Sequence, residues 1–354
     1  MKAIYKYFIA ALLTGLFIFP ANQALAGNKD RSGEAGAGEL LINPWARSSG
    51  WGSVSTANVR GLEGMFVNVA GLAFTQGTEV VFSSTQWLKG TDTDIMSFGL
   101  AQKVGESGVL GLYMSNMSFG DIDITTEDIP EGNIGTFSPN LMTIGVSYSK
   151  IFSNSIYGGI IFKLISESMS DVTANGVAID AGIQYVAGEE ENITFGITLK
   201  NWGPTMSFSG DGLSIRAFLP GEESMFTLGQ RNQEFELPSQ LNIGAAYDFL
   251  FDKHTVTLAG NFRSNSFTND QITAGIQYKL MNYLMLRGAY TYEEGLDEEI
   301  TSGNRYNVDN GLSAGLSIQV PLSKEEGSVL SIDYAFRSTV HFDNTHSIGA
   351  SIKF

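Results

Sequence analysis

The chain has 354 residues, of which 43% are hydrophobic and 16% charged, with 41 glycines, 8 prolines and no cysteine. That composition excludes a disordered or collagen-like chain, and the missing thiols exclude disulfides, thiol catalysis and zinc-thiolate sites. The formal net charge of -16 argues against nucleic acid as a partner, because a phosphate-binding face needs an excess of lysine and arginine.

The first element in chain order is residues 1–26. Lys2 and Lys6 precede an apolar run from Tyr7 to Phe19, and Ala24-Leu25-Ala26 follows as an A-x-A site. This reads as a cleaved secretory signal peptide, since the run is short of the roughly 20 apolar residues that span a bilayer. No later segment reaches about 18 uninterrupted apolar residues, so a mature protein in a membrane would cross it as a barrel.

Residues 27–77 hold Trp45, Trp51, Met65, Phe66 and Phe74 among many glycines. These side chains need burial, and a plug folded inside a barrel would bury them.

From residue 78 to 354 the dominant signal is alternation with period two. In GVAIDAGIQY, Val177, Ile179, Ala181, Ile183 and Tyr185 oppose Ala178, Asp180, Gly182 and Gln184. The same split recurs in NITFGITLK (192–200), QITAGIQYKL (271–280), GLSAGLSIQV (311–320), VLSIDYAFR (329–337) and HSIGASIKF (346–354). Alternation is a strand with one apolar and one polar face. Three features favour lipid outside over a soluble sandwich. The strands run about 10 to 12 residues, the length of a tilted membrane crossing. Aromatics such as Tyr185, Trp202, Tyr247, Tyr278, Tyr290 and Tyr292 sit near strand ends, where interfacial girdles belong. The polar face is glycine- and serine-rich, with too few charges for a solvated surface.

About fourteen strands are expected, beginning near residues 78, 93, 107, 139, 154, 174, 191, 238, 254, 270, 282, 308, 327 and 345. The connections alternate after the first hairpin: 105–107, 153–155, 187–191 and 281–282 are short, whereas 119–138, 203–237 and 293–307 are long. Outer-membrane barrels have short periplasmic turns, long extracellular loops and an even strand number. The expected fold is therefore all-β, a transmembrane antiparallel barrel over 78–354 with a plug over 27–77.

Asn68-Val69-Ala70-Gly71-Leu72-Ala73 is similar to the Asn-Pro-Ala-Gly-Leu signature of the N-terminal hatch in the FadL-like outer-membrane family, with Val69 in place of the proline. Together with the run Ala46-Arg47-Ser48-Ser49-Gly50-Trp51-Gly52 and the strand number, this resembles the PorV/PorQ branch. That resemblance covers most of the chain after residue 26. It implies an outer-membrane protein of Bacteroidota-type bacteria associated with type IX secretion, with Asn68, Ala70 and Gly71 as the hatch motif. The implied partners are translocon or attachment-complex proteins and the C-terminal domains of secreted cargo. Phe354, a final aromatic on an alternating strand, resembles the signal read by the outer-membrane insertion machinery; a plain girdle aromatic is the other reading.

Catalytic signatures are weak. Gly311-Leu312-Ser313-Ala314-Gly315 matches G-x-S-x-G but lies inside an unbroken alternating strand, where a nucleophile elbow needs a strand-turn-helix. His254, His341 and His346 form no metal motif. No enzyme, cofactor or metal is expected. The acidic loop clusters around Asp121 to Glu131 and Glu293 to Glu299 match no calcium-loop spacing.

In the 203–237 loop, Phe208, Phe218, Leu219, Met225 and Phe226 form an apolar set that reads either as a partner surface or as a lid over the barrel mouth. The charges expected in the lumen, among them Lys200, Arg263, Arg287, Arg337 and Asp333, read as contacts to the plug. Two functions follow: a docking and shuttle subunit of type IX secretion that works through its outer loops, or a FadL-like transporter of a hydrophobic small molecule. The first expects a filled lumen, the second an apolar pocket at the outer end with a path past the hatch.

Overall fold

The computed structural model describes residues 27–221, 224–281, 283–299, 305, 307–322 and 328–354; the expected leader, 1–26, lies outside the described residues. Fourteen long antiparallel strands form the wall: β1 Thr78–Trp87, β2 Thr93–Val104, β3 Gly108–Ser118, β4 Asn140–Ile151, β5 Ile156–Met169, β6 Val172–Ala187 and β7 Ile193–Trp202. The second half is β8 Gln240–Leu250, β9 His254–Asn265, β10 Gln271–Leu280, β11 Leu284–Glu293, β12 Asp309–Pro321, β13 Val329–Thr339 and β14 Thr345–Lys353. Each strand pairs with its sequence neighbour, and β14 closes on β1 from Glu79↔Lys353 to Gln86↔His346. Closure leaves no barrel edge, which a strand in hydrocarbon requires. A two-residue strand, Phe208–Ser209, adds to β6 above the barrel.

The alternation has the expected polarity. Outward positions such as Ile183, Ile197, Ile272 and Ile348 are 53–60% exposed, an apolar band that water would not tolerate. Inward positions such as Ser147, Gln184, Thr198, Thr273 and Ser347 are 1–2% exposed. Observed strands begin within two residues of the expected positions. One end of the barrel carries the short turns and both barrel termini. The other carries the long segments 119–139, 203–239 and 294–308, together with short turns at 88–92, 170–171, 266–270 and 340–344. Alternation in connection length therefore holds for three of the loops only.

Residues 27–77 occupy the lumen. A strap, 27–44, runs under the long loops, where Ala35 bridges Glu236 and Gly36 N–H donates to the Glu236 carbonyl. Two one-turn helices follow, α1 Ala46–Ser49 and α2 Gly64–Val67, and then a 3-10 helix Val69–Phe74. No helix among the described residues is long and apolar enough to cross a membrane.

Plug and wall share one apolar core on the β1–β5 side. Trp45, Leu62, Met65, Phe66 and Leu72 meet Val81, Ala101, Val109, Tyr113 and Ile161. Full burial of such side chains contributes about 1.5–3 kcal/mol each. A smaller cluster of Trp51, Val54 and Ala57 against Ala246, Ala259 and Ala289 seats the plug on the opposite wall.

Candidate functional site: the plugged lumen and its mouth

The inward glycines explain how a barrel of this size is sealed by about fifty residues. Many strands present a small residue to the plug, and the backbone comes so near that a side chain would collide. A Cβ on Gly182 would lie 2.1 Å from the Asn68 Oδ1, and one on Gly196 would lie 2.2 Å from the Thr56 carbonyl oxygen. On the other wall a Cβ on Gly275 would meet the Trp51 Nε1 at 2.6 Å, and one on Gly50 of the plug would meet the Gly315 Cα at 2.8 Å. Ordinary van der Waals contact begins near 3.4 Å. The seal is thus set by backbone approach.

Asn68 is the hub of this seal and is fully buried. Its Oδ1 accepts from the Ala70 N–H at 3.1 Å, which caps the 3-10 helix Val69–Phe74. Its amide nitrogen donates to the Thr56 carbonyl at 2.8 Å and to the Ile183 carbonyl of β6 at 3.1 Å. Gln184 donates to the Thr56 and Val59 carbonyls, and Ser149 to the Val69 carbonyl at 2.6 Å. Gly71 packs against the Val59 backbone and accepts from the Gly61 N–H at 2.9 Å. Asn68, Ala70 and Gly71 therefore stand together where wall meets plug.

One ion pair joins the plug to the β13 side of the barrel. Arg47 donates to both oxygens of Asp333, at 3.0 and 3.1 Å, and to the Ser331 hydroxyl at 2.7 Å. Burial alone would lower the pKa of Arg47, but Asp333 and Glu63 outweigh it and hold the guanidinium charged. Glu63, of the plug, accepts from the Ser48 N–H at 2.8 Å. Its pKa is raised by burial, against the opposing pull of Arg47. Among the other inward charges, Lys200 lies 3.6 Å over the Phe66 ring of the plug. The rest mostly hold wall to wall: Lys163 to Asp180 at 2.6 Å, Lys353 to Glu79 at 3.4 Å, and Arg337 to Asp309. The expectation that lumen charges bind the plug is right for Asp333 and Lys200 and wrong for Arg263, Arg287 and Arg337, whose partners lie on the wall.

At the long-loop end, above the plug, a cavity of about 230 Å³ opens between the strap and β8–β13. Arg263 donates to Asn242 at 3.0 Å and to Gln271 at 2.9 Å, Gln271 donates to Glu293 at 2.7 Å, and Gln240 donates to Asn265 at 2.8 Å. Trp87, Leu41, Ile42 and Leu296 add apolar surface to its lining, and Asp309 and Arg337 add a second charged pair. Nearby in the strap, Glu39 is held in a dry setting, and burial with the neighbouring Glu167 pushes its carboxyl up to about 7.

The apolar loop set divides. Phe208 packs on Phe235, ring centroids 5.6 Å apart, beside Met206 and Leu237 over the lumen. Phe218, Leu219, Met225 and Phe226 lie instead on or beside the exposed hairpin Ser214–Phe218/Met225–Gly229, with Phe218 62% and Met225 56% exposed. The set is therefore not one surface: Phe208 serves the lid, and the other four face outward. Phe354 pairs its backbone with Thr78 and leaves its ring 62% exposed at the short-turn end. The sequence reading missed the Arg47–Asp333 bridge and the polar mouth; the signal for the former was an arginine set between Trp45 and Trp51 in the plug, opposite an inward aspartate.

No family model and no curated protein matches the chain. Solved structures do. The monoaromatic hydrocarbon channel CymD superposes with a TM-score of 0.52 at 14% identity, covering 89% of this chain and 98% of that one. The toluene transporter TodX of Pseudomonas putida gives 0.53 at 13%, covering 87% and 96%. The toluene transporter TbuX of Ralstonia pickettii gives 0.52 at 10%, again covering 87% and 96%. At these identities the likeness shows the fold, a FadL-like plugged barrel. The narrower resemblance to the PorV/PorQ branch finds no support in these matches.

Proposed function

We propose that the chain is a non-enzymatic outer-membrane channel, exported by a signal peptide at 1–26, that takes up a small molecule at its long-loop, extracellular end and releases it to the periplasm when the plug yields. The observation that carries this is the cavity at the outer mouth, separated from the far end of the lumen by a plug held through backbone contacts, the Arg47–Asp333 ion pair and two apolar clusters. The filled lumen is what the docking reading expected, and the mouth is not the apolar pocket expected of a transporter, so the transport reading rests on the fold and on a plug whose contacts to the closed wall are all non-covalent. The FadL-like fold supports transport over the docking role in type IX secretion, for which no matching protein speaks. The hydrocarbons named for TodX and CymD are not carried over, because this mouth is lined by charged and amide side chains.

The test is uptake of labelled solutes by asymmetric outer-membrane vesicles holding the purified full chain. Transport expects uptake above that of protein-free vesicles and loss of it when the plug is cross-linked to the wall. No uptake of any solute, with recovery of secretion proteins in mild-detergent pull-downs, would favour docking.

A further inference from the structure

We infer that the outer cavity selects a small, neutral, multiply hydroxylated molecule of about one sugar ring, rather than a hydrocarbon; this rests on the transport reading above. The wall of the cavity is a belt of planar polar side chains bonded edge to edge. Asn242 receives the Arg263 Nε–H, Gln271 receives an N–H of the same guanidinium and passes its own N–H to Glu293, and Asn307 donates to Glu293 at 3.4 Å. Gln240, Gln271 and Glu293, which line the cavity, and Asn242 behind them are 3–8% exposed, so the belt is held in place by the barrel.

A guanidinium carries five N–H donors, of which Arg263 spends one on each of these two amide oxygens. A hydrocarbon in this place would strip water from charged and amide groups and return no hydrogen bonds. Hydroxyl groups, each a donor and an acceptor, return them.

Charge narrows the class further. Arg263, Arg337, Glu293 and Asp309 all line the cavity, with Arg337 paired to Asp309, so two cationic and two anionic side chains balance and the lining favours no net charge on a ligand. The Trp87 ring, with the Arg337 guanidinium 5.3 Å from its centroid, supplies apolar surface for the C–H face of a ring. The volume, about 230 Å³, is below the roughly 300–1,000 Å³ of drug-sized sites and admits one ring.

The test is equilibrium dialysis of the purified full chain against labelled glucose, with toluene partition measured on the same preparation. Saturable glucose binding near one per chain is expected. It should weaken about tenfold in Gln271→Leu, the loss of one or two hydrogen bonds. Asn307→Leu, outside the strands, provides a second variant that leaves the wall intact, and heat-modifiable gel mobility checks folding of both. Saturable toluene binding without glucose binding overturns the inference, as does glucose binding that both variants leave unchanged. If glucose fails to bind while vesicles still take up another solute, the ligand class falls and transport stands. If nothing binds and nothing is taken up, both fall.

Discussion

Adding one methyl group at Gly196 should unseat the plug without harming the barrel. The Cβ of Gly196→Ala would lie 2.2 Å from the Thr56 carbonyl oxygen and 2.7 Å from the Ala57 Cα, both backbone atoms that no rotamer change can move aside. Reaching a normal contact near 3.4 Å needs a displacement of about 1.2 Å of the 55–58 turn. That carbonyl also receives Asn68 at 2.8 Å and Gln184 at 3.2 Å. Overpacking costs about 1–3 kcal/mol, and each weakened hydrogen bond adds roughly 0.5–1.5 kcal/mol. A total near 3 kcal/mol raises the unseated population about 100-fold. Single-channel conductance in planar bilayers should show frequent large openings absent from the wild type, with faster amide exchange over 53–75. Gly260, an outward glycine with no atom within 4 Å of where a Cβ would stand, is the control, and Gly260→Ala should behave as wild type. Wild-type conductance and exchange in Gly196→Ala would refute the reasoning.

Arg47→Ala should loosen the plug by about 3–5 kcal/mol, because it leaves the buried Asp333 carboxylate without its partner; exchange protection of 45–53 reads this out. Glu39 supplies a pH dependence. Its folded pKa, about 7, lies above the ordinary 4.5, so its contribution favours the seated strap below pH 4.5 and is lost as pH rises to 7. The difference is about 3 kcal/mol as an upper bound, and Glu39→Gln should flatten the exchange rate of 35–42 across that window. Phe208→Ala should destabilise the loop over the lumen by about 1–3 kcal/mol in thermal melts, whereas Phe218→Ala, on the exposed hairpin, should stay within about 0.5 kcal/mol.

Strand positions were legible because period two reports which face a residue takes, and glycines and short polar turns report where a strand stops. The level at which a residue stands along the barrel was not legible. Arg263, Gln271 and Glu293 are separated by 8 and 22 residues in sequence and become neighbours only through the antiparallel register of β9, β10 and β11. Arg47 and Asp333 are 286 residues apart, joined by the closure of the barrel around its own N-terminal segment. Asn68, Ala70 and Gly71 were readable as a unit because they are contiguous, and the Asn68 side chain caps the turn they make. The apolar loop set, read as either a partner surface or a lid, divides in the structure, since composition alone does not separate a phenylalanine folded inward at 208 from one displayed at 218.

The central claim is that solute passes where the plug now sits. The chain contains no cysteine, so an engineered pair is the only disulfide that can form. A Cβ on Gly349 of β14 would lie 3.0 Å from the Ala46 Cβ of the plug, close to the roughly 3.5–4.5 Å that a disulfide spans after slight relaxation. The measurement is solute uptake by asymmetric vesicles carrying Ala46→Cys/Gly349→Cys, before and after oxidation, with glucose and toluene supplied together. Gated passage expects uptake when reduced, its loss on oxidation and its return on reduction, while the parent chain ignores the oxidant. Uptake that continues with the plug locked, or that never exceeds protein-free vesicles, would contradict the account.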